Sequence, residues 1–233
     1  MRTIRDVSFP ISLALLIAAC AGPRMVPPSD VAQGTVLEAK NRSGASGSFV
    51  NEDFDLGPYK VAKVKRGWIK GSGMKIGAFG SNKSKAEYTY ELQGGSRTLK
   101  GRCSIAKDEK SMKLGGGFAM GDSRAGVACV CEDGAQVGSL GVTRNPSGKF
   151  DGNMMPAGQS YTLTPVKETE KKYWGGEPAG YRIDGNDGPR GAVEMFKPGR
   201  IWYTEKMAEA ERESGTCLLA GLMLYVEPSD QDD

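Results

Sequence analysis

An all-β or β-rich fold is what this sequence predicts, on three observations. Glycine fills 33 of 233 positions, about twice the usual share of roughly 7%, and such a supply marks many turns. From residue 48 onward, short runs alternate apolar with polar side chains, as half-buried strands do. Turn pairs such as Asp133-Gly134 stand between the runs, the signal of antiparallel hairpins. The count comes to about 12 short strands, followed by one apolar C-terminal segment.

The chain opens on a different pattern. Arg2 and Arg5 precede an apolar run over 7–19, and small residues lead into Cys20. A charged start, a short apolar stretch and small residues before a cut site make a secretory signal. At about 13 residues the run falls short of the roughly 20 that span a bilayer. Ile17-Ala18-Ala19-Cys20 resembles the lipobox of bacterial lipoproteins. That resemblance implies removal of the signal peptide 1–19, acylation of Cys20 on its sulfur and on its new amine, and retention at a membrane. Each buried methylene contributes about 0.8 kcal/mol, so several acyl chains on one residue hold essentially permanently. Residue 21 is alanine rather than aspartate. By the same resemblance this implies the outer membrane of a two-membrane bacterium, with the protein facing the periplasm.

Residues 20–47 are expected as the lipidated cysteine and a flexible tether. Pro23, Pro27 and Pro28 come first, then Ser43-Gly44-Ala45-Ser46-Gly47, with no sustained apolar period. A single β-rich domain is expected over 48–227. In 59–65, Val61 falls on one face and Ala62 with Val64 on the other, while 86–92 puts Tyr88, Tyr90 and Leu92 on one face. Gly94-Gly95 turns into a strand over 98–104. The runs 127–132 and 136–142 flank Asp133-Gly134, a hairpin. Strands over 149–154 and 160–166 continue the meander. The runs 181–183 and 192–196 flank Asn186-Asp187-Gly188, and 201–203 is the last strand.

The end of the chain differs in kind. Residues 204–214 predict a helical start, with Thr204 as N-cap and early acids that suit the helix dipole. Residues 215–226 are apolar all round. Such a segment is either a helix buried on all sides or a buried strand, and periodicity does not separate the two. Glu227-Pro228 stops it, and 228–233 is an acidic tail. Many short strands, then Gly-Tyr-Arg-Ile, Gly-Ala-Val-Glu-Met, Gly-Arg-Ile-Trp and the apolar run from Thr216 to Tyr225, resemble the end of a tubby-like or phospholipid-scramblase-like domain. The resemblance implies a closed antiparallel barrel of about a dozen strands with the apolar helix threaded through it, which also removes exposed sheet edges. No metal-ligand or phosphoinositide-binding residues of that family can be matched to positions here.

Composition excludes several chemistries. There is no histidine, which removes Ser-His-Asp and Cys-His catalysis and the commonest metal ligand. With Cys20 read as the lipid anchor, Cys103, Cys129, Cys131 and Cys217 remain, an even number that suggests disulfides in an exported chain. Cys129 and Cys131 share one strand face, so a bond between them would strain the strand. Pairing with Cys103 on another strand is the better expectation, and Cys217 is expected as a buried free thiol. A C-x-C metal site would need further ligands that the sequence does not place nearby. No metal or other cofactor is expected. Gly71-Ser72-Gly73-Met74-Lys75-Ile76-Gly77 has the wrong spacing for a dinucleotide loop and is taken as a turn, as is Gly115-Gly116-Gly117. Asp184-Gly185-Asn186-Asp187-Gly188 departs from a calcium loop, because its acids are out of register and Met195 holds the twelfth position. Glu132 and Asp133 are adjacent and face opposite ways on a strand, so they form no catalytic pair.

Charge is uneven along the chain. Residues 60–113 hold 14 Lys/Arg against 4 Asp/Glu, and 114–233 hold 12 against 18. Strands of one barrel interleave such halves in space, which moderates the asymmetry. Lys60, Lys63, Lys65 and Arg66 beside Trp68 form the best candidate contact for an anionic headgroup or polymer, although alternation divides them between two faces. Trp68, Trp174, Trp202, Tyr88, Tyr90 and Tyr203 are expected mainly as core. The leading expectation is a lipid-anchored, non-enzymatic envelope protein that binds another envelope protein or an anionic lipid or polymer, and no nucleic acid. A lipid- or headgroup-binding module of the tubby-like kind comes second, and a carboxylate-dependent periplasmic hydrolase third.

Overall fold

The computed structural model describes residues 22–42, 52–67, 75–76, 79–80, 84–107, 112–114, 118–120, 125–145 and 147–225. The signal segment, Cys20, most of Gly71–Gly77, Gly115-Gly116-Gly117, Trp68 and the acidic tail lie outside the described residues. In chain order the strands are β1 (Thr35–Lys40), β2 (Phe54–Leu56), β3 (Tyr59–Gly67), β4 (Lys75–Ile76), β5 (Phe79–Gly80), β6 (Ser84–Gln93), β7 (Leu99–Lys107), β8 (Met112–Leu114), β9 (Phe118–Met120), β10 (Ala125–Asp133), β11 (Ala135–Arg144), β12 (Phe150–Pro156), β13 (Tyr161–Val166), β14 (Gly180–Gly185), β15 (Gly188–Glu194) and β16 (Arg200–Tyr203). One helix, α1 (Glu209–Leu224), follows.

Twelve strands close into an antiparallel barrel in the order β1-β16-β15-β14-β13-β12-β11-β10-β7-β6-β3-β2, and β1 seals the ring by pairing with both β16 and β2. The remaining four form a small sheet, β4-β5-β8-β9, built from the β3–β6 and β7–β10 connections. The barrel and helix expected from the sequence are both present. Their coexistence has a packing reason. About eight strands enclose only the space that side chains fill, and larger barrels leave a lumen. Here α1 occupies that lumen. Its residues from Glu213 to Leu224 are buried without a break, which explains why the segment has no polar stripe.

Local chemistry sets the hairpins. Gly134 adopts φ +73° between β10 and β11, and Gly188 adopts φ +116° at the start of β15, conformations that glycine takes without a Cβ penalty. On β6, Tyr88, Tyr90 and Leu92 point inward into the core together, as their spacing predicts. On β3 the simple alternation fails. A bulge between Ala62 and Lys65, with Lys63 at φ +54°, inserts one residue. Val61 and Val64 therefore both pack on the core, whereas strict alternation separates them.

Three further expectations are corrected. Over the described residues 22–42 the expected tether is not one: Met25 and Val31 are buried, and β1 is a barrel strand. Residues 24–26 run antiparallel to 168–170, with Glu170 N–H donating to the Arg24 carbonyl at 2.9 Å and Val26 N–H to the Glu168 carbonyl at 3.0 Å. Thr204 does not cap the helix. Its hydroxyl donates to the carbonyls of Pro189 and Arg190, the N-cap is Ala208, and Glu211 Oε2 accepts from the Ala208 N–H at 3.1 Å. Cys217 is not a free thiol. It bonds to Cys131, while Cys103, expected to pair with one of the two cysteines of β10, bonds to Cys129.

Candidate functional site

The lumen is fastened to its helix by polar contacts made in an apolar space. Tyr90 Oη donates to the Cys217 carbonyl at 2.7 Å and Tyr88 Oη to the Gly221 carbonyl at 2.8 Å, while Tyr203 Oη meets Thr216 Oγ1 at 3.1 Å. Burial raises the pKa of all three phenols, because the charged form loses its water. The Tyr90 ring lies across Gly101, where a Cβ would stand 2.0 Å from it. Cys103 and Cys129 face each other in register across β7 and β10, with Cα atoms 4.1 Å apart. Cys131 ties the same wall to α1 with Cα atoms 6.3 Å apart. In the chain-entropy account, closing separations of 26 and 86 residues contributes about 3 to 5 kcal/mol each.

Both helix ends are held by groups distant in sequence. At the N-terminal end, Glu213 accepts from Ser96 N–H at 2.9 Å and lies 3.6 Å from Arg97, and Ser214 Oγ donates to the Val137 carbonyl at 2.8 Å. Tyr161 Oη donates to Glu211 at 2.9 Å, and burial with that carboxylate pushes the phenol up to about 12. At the C-terminal end, where the dipole favours cations, Arg42 donates to the Met223 carbonyl and Arg66 to that of Leu224 at 2.8 Å. Arg66 also forms a two-point ion pair with Glu52. Burial pushes the Arg42 guanidinium down to about 10, so it stays charged at neutral pH.

The outer wall of β3, β6 and β7 carries a groove of about 190 Å³ lined by Lys63, Lys65, Lys100, Arg102, Glu91, Glu132 and Thr89. Pairing builds it. Lys65 stands opposite Thr89, Thr89 opposite Arg102, and Lys100 lies between Glu91 and Glu132. Lys63 pairs with Glu91 at 3.0 Å, and Arg102 approaches Glu132 at 3.7 Å. Hydrogen bonds from Lys63 and Gln93 hold the Glu91 carboxyl below its ordinary range. With four cations against two carboxylates, the groove is net cationic. It suits an extended anion lying across three strands, spaced about 4.8 Å apart.

A smaller cleft of about 60 Å³ opens where the C-terminal end of α1 meets the barrel mouth, lined by Arg144, Phe150, Glu177, Tyr181, Met195 and Tyr225, among others. Among the described residues, no group of three or more His, Cys, Asp or Glu could hold a metal ion. None of the described helices is long and apolar enough to cross a membrane.

Of the residues singled out from sequence, Lys63 and Lys65 enter the groove, whereas Arg66 turns inward to α1 and Lys60 stays outside it. Glu132 faces Arg102, and Asp133 pairs with Arg97 at 3.1 Å. Trp202 is buried as expected, but Trp174 is exposed. Lys100 and Arg102 joined the site unannounced: the Gly94-Gly95 turn brings β7 back beside β6, but the register that sets them opposite Glu91 and Thr89 is not written in the sequence. Also unforeseen is Glu194, which is fully buried and bound by Arg24 at 3.0 Å, Arg200 at 2.9 Å and the Met25 N–H at 2.7 Å. Its only sequence signal is a charged residue at the end of an apolar strand. Compared with known proteins, the chain matches no protein-family model, no curated protein and no solved structure.

Proposed function

We propose that this chain is a bacterial lipoprotein held at the outer membrane through acylated Cys20, and that its barrel is a non-enzymatic module binding an anionic component of the periplasmic envelope. The leader and Ile17-Ala18-Ala19-Cys20 support the anchor. Two disulfides agree with an oxidising compartment. The observation that carries the binding role is the cationic groove on an otherwise closed, helix-filled barrel. A filled lumen favours recognition of a headgroup or polymer on the outside over carriage of an acyl chain within. The tubby-like reading is consistent with the same groove, because a barrel threaded by an apolar helix is the architecture that resemblance implies. Carboxylate catalysis has less support: Glu91 is held below its ordinary range by Lys63, opposite to what a general acid needs.

The anchor is tested by Cys20→Ser in the full chain. The wild type is expected to be cut before Cys20 and to carry acyl chains on its N-terminal peptide by mass, while the variant keeps its leader uncut and carries none. A wild-type N-terminal peptide without acyl chains overturns the anchor.

A further inference from the structure

Among the described residues, the exposed large hydrophobic side chains are Val26, Val36, Tyr173 and Trp174, and Trp174 is 82% exposed. Val26 lies on one short paired segment, and Tyr173 and Trp174 follow that segment within four residues. The 24–26 stretch runs antiparallel to 168–170, with Met25 bridged to Thr169. Continuing the two chains past that bridge carries one back toward Cys20 and the other forward toward Tyr173 and Trp174. Cys20 is four residues before Arg24, and Trp174 is four residues after Glu170. Each therefore lies within about 14 Å of the Arg24–Glu170 hydrogen bond, even with its chain fully extended. The Arg24–Glu194–Arg200 ion triad fixes this segment to the barrel wall.

The loop has the chemistry of a membrane interface. Tyr173 packs edge-on against Phe196 at 4.8 Å, and the Lys172 ammonium sits 3.7 Å from the Trp174 ring centre. Trp and Tyr favour the headgroup layer, where one end of the ring is apolar and the other wet. Lysine stems lie along apolar surface while their charge stays in water. Lys167, Lys171 and Lys172 are balanced by Glu168, Glu170 and Glu177. Aromatic partition, and not net charge, is then the attraction.

We propose that the 170–176 loop is a second membrane contact, in which Trp174 and Tyr173 enter the interfacial layer of the bilayer that holds the acyl chains on Cys20. The proposal rests on the anchor reading above. The test uses the full chain, expressed with its own leader, purified from bacterial membranes and reconstituted into phosphatidylcholine vesicles with or without brominated phosphatidylcholine. The mass of the N-terminal peptide reports the acyl chains. The fluorescence difference between wild type and Trp174→Phe isolates Trp174 from Trp68 and Trp202. With Cys20 acylated, the Trp174 signal is expected to shift to the blue and to lose intensity to bromines near the carbonyl end of the chains, equally at low and high salt. Acylated Cys20 with Trp174 unshifted and unquenched overturns the loop contact and leaves the anchor standing. An unmodified Cys20 overturns the anchor and the loop contact together.

Discussion

The two faces of β6 and β7 are made from alternate residues of the same strands, yet their chemistry is opposed. Inward, Tyr88, Tyr90, Gly101 and Cys103 close on α1, and the Tyr88 and Tyr90 hydroxyls have partners on the helix. Outward, Glu91, Lys100 and Arg102 stay in water, with ion pairs that solvent and salt weaken. The difference separates the face that carries stability from the face on which the proposed binding rests. The inner face cannot change without loss of the fold, and the outer face is free to be selected for a ligand.

The largest expected break in this contrast comes from alkali. The pKa values of Tyr88, Tyr90, Tyr181 and Tyr203 are raised above the ordinary 10.0, burial being the first cause. For a group raised on folding, the stabilisation is fully present below the unfolded value and declines as pH climbs past it. Each such phenol removes about 1.4 kcal/mol per pH unit above 10, so four together remove roughly 5 kcal/mol per unit. Ultraviolet titration should show these tyrosines silent until the barrel unfolds, then ionising in one steep step. Gradual ionisation at ordinary pKa values in a folded barrel would contradict the sealed lumen.

A single atom gives the next effect. A Cβ on Gly221 would stand 2.5 Å from Tyr90 Oη, 2.6 Å from Cys103 Sγ and 3.0 Å from Cys129 Sγ. Helix propensity alone says that Gly221→Ala stabilises by about 1 kcal/mol. Overpacking against a disulfide costs about 1 to 3 kcal/mol, and a bonded sulfur pair has little freedom to retreat. Destabilisation by about 2 kcal/mol is expected in denaturant titration. Gly215→Ala is the matched control. Its nearest neighbours stand 3.2 to 3.3 Å away and include the flexible ends of Met207 and Met154, so the propensity gain should largely survive.

What the sequence made legible divides along the same line. Tyr88, Tyr90 and Leu92 announced an inner face because alternation is a local property, and Asp133-Gly134 announced its hairpin for the same reason. The apolar stretch from Gly215 to Leu224 announced burial on all sides. Long-range partners were not legible. Cys217 meets Cys131 across 86 residues, and nothing local records that closure. The N-terminal clasp was hidden because prolines break any period, while the burial of Met25 and Val31 depends on a wall made of β13 to β16. The groove was half visible: Lys63 and Lys65 stood out by charge, but the bulge that orients them and the β6–β7 register that adds Lys100 and Arg102 are set by pairing.

The smallest effect on stability should be the largest on binding. In the ring order, β13, β14 and β15 stand opposite β3, β6 and β7, and the 170–176 loop joins β13 to β14. A wall near Cys20 and Trp174 would thus leave the groove turned away from the bilayer, open to the periplasm. Lys65→Glu with Arg102→Glu reverses two cations that flank Thr89 on this exposed wall. Surface changes of this kind stay within about 0.5 kcal/mol, so the melting temperature should barely move. Inorganic polyphosphate should bind the wild type with an affinity that falls as salt rises, and should not bind the double variant. Equal binding by both would move the anion site off this groove, even with the barrel intact.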